Sequence, residues 1–134
     1  MARLLKLWLE GLPPSVNHIY RSGRRQVYKT SEAKIWQNYA SWMFTKHRNK
    51  KHSKSHEKIA VKIIFRTPSR KRWDIDNRLK SLLDCLVKGG VIYDDSQIDK
   101  LNMEREVDKK FSFSTYIEVS EYATADRKET LHVL

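Results

Sequence analysis

Arg70–Asp95 reads RKRWDIDNRLKSLLDCLVKGGVIYDD, and this stretch organises the rest of the chain. Ile75, Leu79, Leu82, Leu83, Leu86 and Val87 recur at steps of three and four, which at about 100° per residue gathers them on one stripe of a helix. Asp76, Lys80, Asp84 and Lys88 form an i, i+4 series of alternating sign beside that stripe. The spacing predicts a helix that starts near Asp74, whose carboxylate can cap free backbone N–H groups. It stops at Gly89-Gly90, where a left-handed residue costs little. Asp94 and Asp95 follow in the next turn. Asp74, Asp76, Asp84, Asp94 and Asp95 thus stand directly behind a run of cations, in a protein of net charge +11.

Working outward, 134 residues suffice for one compact core and not for two ordinary domains. Hydrophobic residues at 40% and charged residues at 32% make the chain too apolar for disorder and too charged for a membrane span. The N-terminus meets Glu10 and Pro13-Pro14 before a signal-peptide cleavage site could form, so the expected place is the cytoplasm, with no membrane partner. Cys85 lies on the predicted helix and is expected as a small buried side chain. Between Lys46 and Arg72 there are eleven lysines or arginines against the single acid Glu57, so nearly all the excess charge lies in one segment. A patch of that kind is the electrostatic footprint of a polyanion, because each neutralised phosphate releases a condensed counterion. A solvated loop that only aids solubility is the other reading.

Elsewhere, Leu4–Leu9 reads as a strand, and residues 11–29 read as a loop in which tyrosines alternate with arginines. Thr30 or Ser31 can cap a first helix whose apolar face is Ile35, Trp36, Tyr39, Ala40, Trp42, Met43 and Phe44. Residues 47–58 have no hydrophobic period and are expected as a mobile basic loop; their histidines lack a cysteine partner at zinc spacing. Ile59–Phe65 is the next strand. Ile98–Val107 and Phe111–Val119 are two more, joined as a hairpin through Asp108-Lys109-Lys110. The expected fold is α/β (α+β): a single domain over 1–134 with a mixed β-sheet, two main helices and the order β-α-β-α-β-β. Residues 1–120 form its core and 121–134 a tail of no clear pattern.

Asp74 and Asp76, one residue apart, project to the same side if that segment is extended. Several aspartates drawn together repel unless a cation lies among them, and an all-oxygen set suits magnesium better than zinc. Such an ion would neutralise phosphate charge and help generate hydroxide, with Lys80 in reach of the same phosphate. Helix capping by one aspartate and an i, i+4 ion pair between Lys80 and Asp84 are the plainer alternatives.

In this order and spacing the residues resemble the RusA family of Holliday junction resolvases, found in bacteria and their prophages. The resemblance lies in R-x-D-x-D-N, here Arg72-Trp73-Asp74-Ile75-Asp76-Asn77, then Lys80, Asp84, Lys88-Gly89-Gly90, and Asp94-Asp95 with Gln97. It extends to Pro13-Pro14-Ser15 with Asn17, Tyr20 and Arg21. It implies a homodimeric, magnesium-dependent endonuclease, with manganese able to substitute and no small-molecule cofactor beyond the metal. Such an enzyme nicks a four-way DNA junction symmetrically in recombination and repair. It further implies that Asp74, Asp76 and Asp95 bind the metal, that Lys80 is essential at the catalytic centre, and that Asn77, Asp84 and Asp94 support them. The branched DNA would be held by Asn17, Tyr20, Arg21, Arg24 and Arg25, by Lys50, Lys51 and Lys54, and by Arg70, Lys71 and Arg72. The family commonly carries a basic residue just before the first aspartate; here Trp73 stands there, which leaves Arg72 or Lys71 for that contact. Two nicks at symmetry-related positions also argue for a twofold dimer. A non-catalytic DNA-binding protein on the same fold, and a nuclease for flaps or forks, remain the competing readings.

Overall fold

The computed structural model describes residues 2–15, 20–22, 27–29, 31–70 and 75–123; for 20–22 and 27–29 the backbone path alone is described. The main sheet is four-stranded, built from β1 (Arg3–Glu10), β4 (Ile59–Thr67), β5 (Ile98–Val107) and β6 (Ser114–Glu121) in the order β1-β6-β4-β5. β6 pairs antiparallel with both β1 and β4, and β4 pairs parallel with β5, so the sheet is mixed as the sequence implies. A separate two-stranded ribbon, β2 (Tyr20–Ser22) with β3 (Val27–Lys29), occupies the segment expected as plain loop. Among the described residues two α-helices complete the fold: α1 (Ser31–His47) and α2 (Leu79–Lys88).

β4 shows why one side of the sheet is covered. Its odd-numbered residues Ile59, Val61, Ile63 and Phe65 are buried, while Ala60, Lys62, Ile64 and Arg66 are not. The strand period of two therefore sorts apolar residues under the helices and leaves the opposite face open. Leu4, Leu9, Phe44, Leu82, Leu86, Ile117 and Val119 join the buried row in one continuous core. The open face carries a stack instead. The Arg66 guanidinium lies 4.3 Å over Trp8 and 4.7 Å over Phe111, and its Nε donates to Glu106 Oε1 at 2.7 Å. Arg66 thus belongs to a sheet-face cluster, although its charge counts toward the basic segment.

Three expectations are corrected. β5 and β6 are not a hairpin: β4 lies between them, and the turn at Asp108 docks on β4 through Asp108 N–H to Thr67 O at 3.1 Å. Alternation along a strand reports which face is buried and is silent about which strand is the neighbour. On α1, Ile35 is 70% and Trp42 59% exposed, whereas Gln37 and Ser41 are buried. The reason is that α1 meets α2 through a polar seam, with Gln37 Nε2 donating to Ser81 Oγ at 3.0 Å. Finally, α2 starts at Leu79 rather than near Asp74. A 3₁₀ turn, Ile75–Arg78, precedes it, and Arg78 is the N-cap without a side-chain capping bond.

The helix end is close to expectation. Gly90, at φ +76°, is the left-handed residue, while Gly89 is helical in φ and lies against α1. A Cβ on Gly89 would stand 2.8 Å from Phe44 Cβ and 3.0 Å from Ser41 O. Cys85 is buried and free. No helix among the described residues is long and apolar enough to cross a membrane.

Candidate active site

The chain passes from the end of β4 into the 3₁₀ turn that carries Asp76. Ile75 packs against the core, which fixes the turn and leaves the neighbouring Asp76 exposed. Asn77 is half-buried beside it. Arg78, two residues after Asp76, sends its guanidinium inward, where Nη1 donates to Pro13 O at 2.6 Å. Burial lowers its pKa from the ordinary arginine value, because a charged group leaving water is disfavoured. Leu12, Pro14, Ser15, Trp36 and Arg78 line a cavity of about 290 Å³. The N-terminal Pro-Pro-Ser segment and the aspartate turn, 60 positions apart in sequence, are therefore one local structure. Nothing in the residue pattern singled out Arg78; its place two residues after Asp76 in the same turn was the available clue.

Asp74, Lys71 and Arg72 lie outside the described residues, as do Asn17, Arg24 and Arg25. Tyr20 and Arg21 contribute backbone to β2. Lys80 is exposed in the first turn of α2, its Nζ 3.6 Å from Asp84 Oδ1. An exposed i, i+4 pair of that kind contributes about 0.3–0.5 kcal/mol, so Lys80 can leave it for a phosphate at little cost. Arg70 is exposed at the same end of β4.

The second acid turn lies beyond the other end of α2. Asp94 caps a short 3₁₀ turn, Asp95–Gln97, by accepting from the backbone N–H of Ser96 at 3.0 Å and from its hydroxyl. These bonds from Ser96, side chain first, hold the Asp94 carboxyl below its usual range. Asp95 follows with its side chain exposed. Gln97 ties the turn down. Its Oε1 accepts from Tyr93 N–H at 2.9 Å and Asp94 N–H at 2.8 Å, and its Nε2 donates to Ser55 O at 2.6 Å and Glu57 O at 2.8 Å. An amide has two donors and one oxygen with two lone pairs, so its capacity is fully used.

Gln97 also explains why residues 48–58 take a defined path rather than that of a loose loop. Lys54 N–H donates to Val91 O, Ser55 bridges Ile92, and the His56 and Tyr93 rings lie 4.6 Å apart. Asn49 bonds the start of β1 through Arg3 O and Leu4 O. Arg48 donates to Gly89 O and Gly90 O, closing the C-terminus of α2 with a cation. Lys50, Lys51 and Lys54 remain exposed on this framework, and Lys54 holds φ +57°, an uncommon value for a residue with a Cβ. The absence of hydrophobic period is real, but backbone and amide hydrogen bonds leave no such trace.

The two acid turns stand at opposite ends of α2, whose ten residues span about 15 Å. Among the described residues, no three His, Cys, Asp or Glu side chains converge as a metal site needs. The chemistry of the donors nonetheless suits a hard cation. Asp76 and Asp95 are exposed carboxylates that make no ion pair with any described residue, and both offer oxygen alone.

A family model described as Endodeoxyribonuclease RusA matches residues 10–120, a span that takes in both acid turns and the basic loop. Among curated proteins, a crossover junction endodeoxyribonuclease RusA of Aquifex aeolicus (strain VF5) is 33% identical over 106 residues, covering 78% of this chain and 82% of its own length. A protein of the same description from Enterobacteria phage HK97 is 32% identical over 103 residues, or 71% of this chain and 78% of that protein.

Proposed function

The chain belongs to the RusA family of endodeoxyribonucleases, and from that membership we propose that it resolves four-way DNA junctions by paired phosphodiester hydrolysis. The observation that carries the reading is the match over residues 10–120. It spans Asp76, Lys80 and Asp95 together with the elements that hold them. The relatives' printed descriptions supply the substrate class, crossover junctions, and the phage relative fits a setting in phage or prophage recombination and repair. The enzyme works as a homodimer in the cytoplasm, one copy for each nick.

The resemblance assigns Asp74, Asp76 and Asp95 to a divalent cation, magnesium or in its place manganese; Asp76 and Asp95 stand at opposite ends of α2, so within one chain they would not reach the same ion. When bound, that ion neutralises phosphate charge and lowers the pKa of water. The remaining work falls to the side chains. Lys50, Lys51 and Lys54 gather backbone phosphates beside the Asp95 turn, and Arg70 does so at the Asp76 end. Lys80 leaves Asp84 to contact the scissile phosphate or to orient the attacking water. Asp94 caps the turn that presents Asp95, and Arg78 anchors the turn that presents Asp76 to the Pro13 carbonyl.

Asp76→Asn tests this directly. It should bind a mobile four-way junction at least as well as the parent protein, since a negative charge is lost near phosphate, yet produce no nicks in magnesium. Cleavage by that variant at the parental rate would remove Asp76 from the reaction. Absence of nicking by the parent protein in both magnesium and manganese would overturn the enzymatic reading.

A further inference from the structure

Val91, Ile92 and Tyr93 lead from the glycine turn to the second acid turn, and they do not share one environment. Val91 and Ile92 are buried, whereas Tyr93 is 59% exposed. The basic loop runs beside them residue for residue. Lys54 N–H donates to Val91 O at 3.3 Å, Ser55 bridges Ile92 in parallel, and the His56 ring lies 4.6 Å from that of Tyr93 with 37° between the planes. Gln97 holds both ring-bearing segments at their backbones, through Tyr93 N–H on one side and through Ser55 O and Glu57 O on the other. The Tyr93 ring is thus braced by a second ring and still largely open.

Exposed aromatics are ordinary on a protein surface, so the surroundings decide what this one does. Trp8 and Trp42 carry the cations Arg66 and Lys46 over their rings, at 4.3 and 5.1 Å. Tyr93 instead has Asp95 two residues on, and the exposed Lys50, Lys51 and Lys54 on the loop that bears His56.

We propose that Tyr93, backed by His56, stacks on one nucleobase of the DNA strand held at the Asp95 turn, and so selects a base whose face is uncovered at a branch point. The proposal rests on the resolvase reading and adds to it a contact that reads strand structure. Cations that track phosphates beside an aromatic ring are the combination that binds an unpaired strand, because every base has a π-face. Phosphate contacts fix where the strand lies but do not report whether its bases are stacked. A ring does report it. A base inside a duplex is covered above and below by its neighbours, whereas a branch point interrupts the stack. A tyrosine ring supplies contact area with little conformational entropy to lose, and the His56 brace lowers that loss further.

The test is binding by the full chain, without divalent metal, to a fluorescein-labelled immobile four-way junction and to a linear duplex of matching sequence over a range of salt. Tyr93→Ala should weaken junction binding about tenfold at every salt concentration, leave the slope of log K against log salt unchanged, and alter duplex binding by less than about twofold. The variant keeps the backbone N–H that Gln97 holds. Tyr93→Phe and Tyr93→Trp retain a ring and should stay within about threefold of the parent. His56→Ala should lose about threefold and His56→Phe should restore it. A 2-aminopurine moved through the branch-point positions should, at one of them, be brighter in complex with Tyr93→Ala than with Tyr93→Phe. Equal losses on junction and duplex, a Tyr93→Phe variant as weak as Tyr93→Ala, or no loss in Tyr93→Ala would overturn the proposal. Metal-free binding keeps the two readings apart. If the parent nicks junctions in magnesium while Tyr93→Ala binds them as the parent does, the stacking contact falls and the resolvase reading stands. If Tyr93→Ala shows the selective loss and the parent nicks nothing in magnesium or manganese, the resolvase reading falls and the stacking contact stands.

Discussion

Replacing Gln97 should disturb two functional segments with one side chain. Its amide makes hydrogen bonds at 2.9, 2.8, 2.6 and 2.8 Å, two holding the Asp94–Asp95 turn and two holding the basic loop at Ser55 and Glu57. At about 0.5–1.5 kcal/mol net for each bond, the set would contribute roughly 2–6 kcal/mol if it were dry. Gln97 is partly exposed, so water would satisfy some of the released groups, and Gln97→Ala should cost about 2 kcal/mol. Urea unfolding reads that cost as a lower midpoint at unchanged slope. Amide hydrogen exchange separates the two halves of the clamp. Gln97→Ala should lose protection at Tyr93 and Asp94, whereas Gln97→Glu, which keeps acceptor oxygens but has no donors, should retain it there and lose it at Lys54. Junction nicking by either variant should fall about tenfold, in keeping with a site held roughly 1.4 kcal/mol less firmly. A loss below about 0.5 kcal/mol with unaltered exchange at Tyr93 and Asp94 would refute the clamp.

Gly89→Ala should destabilise by about 1–3 kcal/mol, because Phe44 and the Ser41 carbonyl leave no room for a methyl group. Gly90→Ala should cost about 1–2 kcal/mol from its left-handed backbone plus displacement of Arg48, and only its cost should shrink in an Arg48→Ala background, as chemical denaturation of the three single and two double variants would show. Changing Lys50, Lys51 and Lys54 together to Gln should reduce the slope of log K against log salt for junction binding by up to about 3, with little sequence dependence, measurable by fluorescence anisotropy. The Asp94 carboxyl, held below its usual range by Ser96, stabilises the folded state above the unfolded value of about 3.9, and that support is lost as pH falls through the lower folded value. Ser96→Ala should therefore narrow the difference in melting temperature between neutral pH and pH 3 relative to the parent; an unchanged difference would count against that role.

Much of the fold was legible because its signals are periodic. Ile75 to Val87 located the central helix, the odd residues of β4 located its buried face, and Ile98–Val107 emerged with its predicted bounds. What escaped was either polar or a matter of neighbours. The α1–α2 seam uses Gln37, Ser41 and Ser81, which no hydrophobic template detects. The basic loop is fixed by Gln97 and backbone groups, and the place of β6 between β1 and β4 depends on pairings across the length of the chain. At the site, residue types pointed to carboxylates and a lysine, while the division of tasks between Asp94 and Asp95 became visible only through the bonds from Ser96 and Gln97.

The place of β6 also dictates an order of events during synthesis. Among the described strands, the last to leave the ribosome, β6, is inserted between the earliest, β1, and the central β4, so β1 has no described partner in the main sheet until Ser114–Glu121 has emerged. The βαβ unit of β4, α2 and β5 can form earlier, since its contacts are closer in sequence, but closure waits for pairs such as Leu7↔Ile117. A ribosome that stalls before β6 therefore displays β1, with Leu4, Leu5 and Leu9, as an apolar strand without a neighbour, a species prone to association with other nascent chains.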